Sequence, residues 1–536
     1  MGSFLAGAGF ALAGAPREAW GLGLASLALW LGLLSRRRVW DAATPGQAAA
    51  RGAREGLAFG VGANAVALGW SVGLLERFAA FPPWASWGTS ALLWCAQGLP
   101  YALGTALAAG LAAGLREGSA LRPGTPSSPP EPRRAGPWLL PATLPVALSA
   151  VPAIFPWRPA ATQLPVLSLV QAAELGGEPL VDVLLLLTLV AATEGLRHRG
   201  GRARGRRLQV AQLLLAVVLP TATAVAGAHR LATVEAARAA APRVRVGLVQ
   251  PNVPVGGKRD PRLRAERRRA LHRATRELGR AGAGLVVWPE TAHPYAVPRD
   301  ARRDSPGAAS IRPAGFSGAI LAGAITRGEG RFNSVLAVDP TGWIRGISDK
   351  VRLVPFGERV PFCPTLPWLE ARLGTCGLTP GRAPQVLTPD SELRVGVLNC
   401  YEDVLADQAW VVARQAPDLL ANVTNDAWFG DTAEPHLHLA VSRFRAIEAR
   451  RELVRSTNTG VTAHVAATGE VRTQTEVFQP GTLLVDVPLL DLGPTLWVRA
   501  GDWVTYGLFG GLAGVFFAAA SGPGRPSRSA GTKRTS

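Results

Sequence analysis

LRVGVLNC, residues 393–400, is an apolar run that stops abruptly at a thiol and is followed at once by Tyr401 and Glu402. A short run of Leu and Val bounded by turn residues reads as a buried strand, so Cys400 sits where a strand ends. The pattern recurs twice upstream. GLVVWPE (284–290) ends at Glu290, and the turn after WIRGISD carries Lys350. Other strand-like runs are RVRVGLVQ (243–250), AILAGAIT (319–326), SVLAVD (334–339), DLLANVTN (418–425), VTAHVAATGEV (461–471) and TLLVDV (482–487). Between them, 261–280 and 433–450 have helical spacing; the first carries a stripe of Leu263, Ala270, Leu271, Ala274 and Leu278. Strands alternating with helices imply an α/β layer fold. No internal repeat, P-loop or dinucleotide fingerprint is present.

A carboxylate, an amine and a thiol at strand ends are the parts that thiol acyl transfer requires. The thiolate attacks, an adjacent base or cation lowers its pKa or takes its proton, and a cation stabilises the oxyanion. Each residue alone has a plainer reading, since a strand-end Cys is often a small core residue and a Lys in a turn is often solvated.

Outside this region the chain changes character. Of 536 residues, 48% are hydrophobic and only 18% charged, yet the net charge is +19. That length calls for more than one unit. Uncharged runs occupy Ser3–Ala13, Ala19–Ser35, Leu57–Leu75, Gly88–Leu115, Pro137–Trp157, Leu208–Ala228 and Trp503–Ala520, and Pro179–Thr193 is interrupted only by Asp182. A bilayer crossing takes about 20 apolar residues of helix, and eight spans are expected. Basic residues alternate across the intervening loops. The stretches 36–54, 116–134 and 197–207 hold five, four and six Arg, and the tail 521–536 holds three Arg and one Lys; 15–18, 76–87 and 158–178 hold one Arg each. By the positive-inside rule both termini lie in the cytoplasm and 229–502 lies outside. A charge distributed in this way argues for membrane topology and against nucleic acid as a partner.

The expected organisation is a membrane domain over 1–228 with about seven helices, an extracytoplasmic catalytic domain over 229–500, a final span at 501–520 and a basic tail at 521–536. Asp182 is expected near the outer end of its helix, within reach of water, and Glu194 at the interface. The eight Arg of 261–280 read as a solvated face or as a contact with anionic headgroups.

WPE (288–290), DKVRLVPFGERVP (349–361), CYED (400–403), TNDAWFG (424–430), the run beginning HLHLAVSRFRAIEAR (436–450) and GDW (501–503) resemble bacterial apolipoprotein N-acyltransferases of the carbon–nitrogen hydrolase, or nitrilase, superfamily. The resemblance spans essentially the whole chain. It implies an α-helical membrane bundle of eight transmembrane helices joined to an αββα nitrilase sandwich. It also implies Glu290 as general base, Lys350 as oxyanion stabiliser and Cys400 as nucleophile, with Glu358, Tyr401 and Glu402 in support. The implied partners are a phospholipid acyl donor and a diacylglyceryl apolipoprotein acceptor, the implied location is the bacterial inner membrane with the catalytic domain periplasmic, and no cofactor or metal is expected. Two positions depart from the family pattern: Ser348 stands where Tyr is usual, and Arg259 where Trp is usual. FAAFPPWASW (78–87) and VPFCPTLPWL (360–369) are expected to form a lipid-facing rim. Cys363 and Cys376, 13 apart, can pair outside the cytoplasm and leave Cys400 free. His436 and His438 share a helix without an evident third metal ligand. A tethered amidohydrolase, with water resolving the thioester, and an inactive scaffold are the competing readings. Eight helices exceed what a tether needs, and a scaffold predicts the loss of a triad residue.

Overall fold

The computed structural model describes residues 1–14, 16–42, 44–120, 135–197, 203–361, 363–365, 368, 376–390 and 392–520. The first part is helical: α1 Gly2–Leu12, α2 Trp20–Arg36, α3 Pro45–Ala67, α4 Trp70–Phe78, α5 Pro83–Ala120, α6 Ala135–Ala150, α7 Leu167–Val170, α8 Ala173–Arg197 and α9 Ala203–Ala240. α3 lies between α1 and α5 at very close range: a Cβ on Gly62 would stand 2.1 Å from the Phe4 carbonyl oxygen. Helices without a water-driven force between them gain most from this backbone-to-backbone approach.

Among the described residues, three helices are long and apolar enough to cross a membrane (Pro83–Glu117, Ala173–Arg197 and Gly205–Ala240), or four when the pair α3–α4 is counted as one. That pair is bent by 56°, so the span expected at 57–75 is broken. α1, α2 and α6 have 11, 17 and 16 residues, short of the roughly 20 of a straight crossing. The expected boundary at 229 falls inside α9, which runs unbroken to Ala240.

Asp182 is a correction. No water reaches it: its side chain is fully buried, paired with Arg158 Nε at 2.8 Å and accepting from Ala160 N at 2.7 Å. The partner comes from a loop 24 residues upstream, which helix position alone does not reveal. Glu194 pairs with Arg197 at 2.9 Å, near the end of α8.

After Ala240 the chain builds two sheets. The first has strand order β13-β1-β2-β4-β5-β6, with β3 (Val297–Pro298) also on β4; its members are β1 Arg243–Gln250, β2 Leu285–Val287, β4 Ala319–Arg327, β5 Arg331–Val338, β6 Ile344–Asp349 and β13 Gly481–Pro488. The second has order β12-β11-β10-β9-β8-β7: β7 Val386–Leu387, β8 Val395–Asn399, β9 Leu419–Thr424, β10 Leu453–Thr457, β11 Ala463–Val465 and β12 Val471–Gln474. At the centre of each lies a parallel trio, β1-β2-β4 and β8-β9-β10, flanked by antiparallel pairings.

Buried on both faces, the parallel strands read as continuous apolar runs, and side-chain alternation sorts them. Leu285 and Val287 pack inward against Val397, Leu419 and Val423 of the facing sheet. Val286 packs outward with Leu271 and Leu278 of α11 (Arg264–Arg280), which follows the short α10 (Val255–Arg259). On the other side, Leu398 and Leu420 meet α12 (Ala406–Ala413) and α13 (Glu434–Ala449). The result is a helix–sheet–sheet–helix sandwich, as expected.

α13 is also the layer that touches the N-terminal helices. Arg445 is paired with Glu178 and with Glu448 (3.2 Å), and Arg450 with Glu174 (2.6 Å). Phe444 and Ile447 are buried with Ala160, Val170 and Ala173. α11 lies beyond both sheets from this contact, so its arginines face away from α8. The described residues end in α14 (Leu496–Ala500) and α15 (Trp503–Ala520), and the basic tail expected at 521–536 lies outside them.

Candidate active site

Crossover topology puts the carboxyl ends of β1, β2, β4, β8, β9 and β10 at one end of the sandwich. β6, two antiparallel steps from β4, also ends there. Ser456 Oγ donates to the carbonyls of Val249 (2.9 Å) and Val287 (3.0 Å), which joins the strand ends of the two sheets. Carboxyl-end crevices are where α/β sheets place ligands. Glu290 follows β2, Lys350 follows β6 and Cys400 follows β8.

The three are buried, and a network of hydrogen bonds ties them together. Lys350 Nζ is 3.0 Å from Glu290 Oε1 and 2.9 Å from Glu358 Oε2, and it lies 5.6 Å from the Tyr401 ring centroid. Asn333, unforeseen from the sequence, donates to Glu290 Oε1 (2.6 Å) and Glu358 Oε1 (2.9 Å), and its carbonyl accepts from Lys350 N (2.8 Å). Asn399, just before the thiol, donates to Asn333 at 3.4 Å. The signal that could have exposed Asn333 is a polar residue opening the apolar run FNSVLAV (332–338).

Glu402 does a different job from Glu358. Its carboxylate accepts from Val351 N (2.7 Å), Arg352 N (2.9 Å) and Asn399 N (3.0 Å), which clamps the backbone beside Lys350 to that beside Cys400. Burial pushes Glu402 up to about 7 against these donors. Ser348 is buried and accepts from Gln385 N at 3.4 Å. The side chain of Arg259 lies outside the described residues.

Cys400 has φ +56°, a left-handed conformation that costs a non-glycine residue on the order of 1–3 kcal/mol and collects at functional sites. Asn422 Nδ2 holds its carbonyl at 2.8 Å. Burial pushes the thiol up, the Glu290 carboxylate adds to this, and the Lys350 ammonium opposes it. Burial works against the Lys350 charge, but the Glu290 and Glu358 carboxylates, joined by Cys400 whenever it is a thiolate, outweigh it and drive the amine well above its usual value. The thiol is therefore protonated at neutral pH beside a fixed cation.

Glu290 depends on a close backbone approach. A Cβ on Gly323 of β4 would stand 2.1 Å from the Pro289 carbonyl oxygen. Gly323→Ala is expected to displace Glu290 and to slow thioester formation by on the order of 10²-fold, the usual effect of a misplacement of about 1 Å. Single-turnover kinetics on folded protein measure it.

A ring of buried charges lies behind the thiol. Arg455 donates to Asp403 (2.7 Å), Asn422 (2.8 Å) and Asp426 (3.1 Å), while His438 meets Asp403 through Nε2 (2.7 Å) and Asp426 through Nδ1 (3.1 Å). The fold thus supplies the partners that the sequence did not: ligand atoms of Asp426, Glu434 and His438 lie within 4.8 Å of one another, with Arg455 already on Asp426. His436 is not part of that group.

Burial and Arg455 work against a charged His438, but Asp403 and Asp426 outweigh them and raise it to about 10, from 6.5. Its stabilising effect is complete below the unfolded value and is lost as pH rises from about 6.5 through about 10. Melting curves over that range should decline for the native chain, and His438→Gln should flatten this part of the decline.

Cys363 and Cys376 are disulfide-bonded (Cα–Cα 5.5 Å), and of the remaining cysteines Cys95 is exposed and Cys400 buried. The bridge adjoins the site, because Val360 N bonds Cys376 O (3.1 Å) and Leu378 N bonds Glu358 O (2.8 Å).

Comparison with known proteins gives a consistent result. A family model described as carbon-nitrogen hydrolase matches residues 245–495, and one described as apolipoprotein N-acyltransferase N-terminal domain matches 6–191. The chain is 32% identical over 370 residues to the apolipoprotein N-acyltransferase of Geobacter metallireducens, covering 67% of this chain and 69% of that one. With the protein of the same name from Sinorhizobium medicae it shares 34% over 361 residues, 62% and 65% of the two chains. A solved amidase from Nesterenkonia sp. aligns with 50% of this chain and 97% of its own at 18% identity and a TM-score of 0.34.

Proposed function

The chain belongs to the apolipoprotein N-acyltransferase family, and on that premise we propose that it moves an acyl chain from a phospholipid to the N-terminal amine of a diacylglyceryl lipoprotein through a thioester on Cys400. The observation that carries this reading is the buried cluster of Glu290, Lys350 and Glu358, tied through Asn333 and Asn399 to the strained Cys400.

Glu290 takes the Sγ proton as sulfur attacks the ester carbonyl. Lys350 faces the oxyanion with a charge that is already in place, and Glu358 and Asn333 hold that ammonium and the base in register. The ester C–O bond breaks, the glycerol oxygen receives the proton from Glu290, and a lysophospholipid leaves. An unprotonated amine then attacks the thioester carbon and passes a proton to Glu290; the C–S bond breaks and the sulfur is reprotonated. Tyr401 and Glu402 keep the turn around the nucleophile in shape. The route uses no cofactor and no nucleic acid.

Both substrates are anchored in a bilayer, which explains the apolar helices. We read the eight apolar runs as eight crossings of the bacterial inner membrane, with 229–500 periplasmic. The arginine alternation and the Cys363–Cys376 bridge support that side, since disulfides persist outside the reducing cytoplasm. Trp84, Trp87 and Trp368 are mostly exposed, which supports them as members of a lipid-facing rim. Replacing Trp84 and Trp368 together by alanine is expected to raise the apparent KM for lipid roughly tenfold, the scale of losing the burial of a large apolar side chain, with alkylation of Cys400 unchanged. Unchanged lipid use would sink the rim.

The deciding experiment places the full chain in vesicles with labelled phospholipid and a diacylglyceryl peptide. N-acylated peptide is the expected product. Release of free fatty acid, with the peptide untouched, would instead favour the amidohydrolase reading.

A further inference from the structure

α11 starts after β1 and runs back along the sheet, so its first turns lie at the same end of the sandwich as Glu290 and Cys400. Between those turns and the arm of residues 251–258 is a cavity of about 450 Å³ that nothing above employs. Val253, Leu263 and Leu271 are among its walls, and Lys258, Arg267 and Arg273 bring three cations to it. The single carboxylate there, Glu266, is exposed.

The donors in this cavity are only partly used. Lys258 Nζ donates to the Glu290 carbonyl (2.9 Å) and to Thr291 Oγ1 (3.1 Å), and an ammonium has three N–H bonds to give. Arg267 is more than nine-tenths buried; its Nη1 bonds the Lys258 carbonyl (2.8 Å) and its buried Nε has no partner. Unspent N–H groups of a buried guanidinium and a half-buried ammonium beside an open volume call for an anion, because an unmet buried donor costs about 1–3 kcal/mol. The apolar walls suit the rest of an amphiphile.

We propose that this cavity is a binding subsite for a phosphate group, held by Lys258 and Arg267 with Arg273 at the rim, and that in the working enzyme the phosphate belongs to the headgroup of the acyl-donating lipid. The identity of the lipid rests on the acyl-transfer reading; the anion site itself does not. Lys258 spans the two regions, touching the backbone of Glu290 on one side and the cavity on the other. A lipid gripped by its phosphate there lies one glutamate's length from the Lys350 cluster. Such placement binds ground and transition states alike, so its removal acts on KM more than on kcat.

The test uses the full chain in detergent. Phosphate binding is followed by calorimetry with inorganic phosphate and with sn-glycerol 3-phosphate, and deacylation is followed as the lysolipid left by each donor, lysophospholipid from phosphatidylethanolamine or monoacylglycerol from diacylglycerol. Arg267→Met is expected to weaken both anions about tenfold or more, the scale of one charge-assisted hydrogen bond. The KM for phosphatidylethanolamine should rise by the same factor and that for diacylglycerol should not move, with Arg267→Lys recovering part of the loss. If Arg267→Met fails to fold, Arg273→Gln at the exposed rim should give the same pattern at smaller size. Phosphate binding that depends on Arg267 with neither KM moved assigns the subsite to free phosphate and still supports it. Absence of phosphate binding, or a loss confined to kcat, overturns it. Wild-type protein that binds phosphate but releases no lysolipid from either donor would refute the acyl-transfer reading and leave the subsite standing.

Discussion

Cys400→Ala is expected to abolish acyl transfer, lowering turnover by on the order of 10⁵-fold or more, the scale seen when a nucleophile that acts as one unit with its base is removed. The reason lies in the arrangement around the sulfur. Cys400 is the buried free thiol, and Cys95, exposed on α5, has none of the surrounding groups. The left-handed turn holds the thiol close enough to the Lys350–Glu290 cluster to feel both charges. Cys400→Ser should fare little better, because a hydroxyl needs a far stronger base than a carboxylate. Mass spectrometry of protein quenched with phospholipid alone provides the direct check: the native chain should carry one acyl group on the peptide containing Cys400, and the alanine variant none. Transfer that survives the substitution would end the thioester mechanism.

The second large effect concerns stability. Arg455→Met is expected to destabilise the sandwich by about 3–5 kcal/mol, the usual consequence of removing one partner from a buried ion pair. Arg455 is fully buried and supplies hydrogen bonds to Asp403, Asn422 and Asp426. Without it the two carboxylates face each other across His438 alone, and Asn422 loses the contact that aims its amide at the Cys400 carbonyl. Against a net stability of about 5–15 kcal/mol, that loss should lower the melting temperature steeply and reduce activity in whatever protein remains folded. Adding Asp403→Asn to Arg455→Met should recover part of the stability by removing the stranded charge. If the double variant melts lower still, the charge-balance account is wrong.

The strand-end positions of Glu290, Lys350 and Cys400 were legible in the chain because parallel strands are buried on both faces and spell unbroken apolar runs, so a reactive residue at the end of one stands out. Glu358 and Glu402 were legible only through motif wording, and their division of labour was not. Glu358 binds the ammonium, while Glu402 binds backbone N–H groups on two segments. Asn333 and Lys258 escaped because each is an ordinary polar residue until folding places it against Glu290. The ring of Asp403, His438, Asp426 and Arg455 joins a turn, a helix and a strand up to 52 residues apart, and no local period encodes such closure. The apolar runs were clear, but the bend between α3 and α4 lies at Leu68–Gly69 within a stretch that carries no charge and no proline. Hydropathy is blind to that break.

α13 gives the sandwich a face that its own helices do not cover. Phe444 and Ile447 are fully buried, with Ala160, Val170 and Ala173 of the N-terminal half packed on them. Arg445 adds a carboxylate on α8, Glu178, to its own-helix partner Glu448, and the carboxylate of Arg450 is Glu174, also on α8. A catalytic segment cut free at Arg243 and ended before Trp503 would therefore carry an open apolar seam flanked by stranded guanidinium groups, and its fate in water would be self-association. The helices beneath it are in this sense a missing wall of the hydrolase. Most of that wall precedes the first strand of the sandwich in the chain, so the helical half is made before the face it covers and acts as an intramolecular folding template.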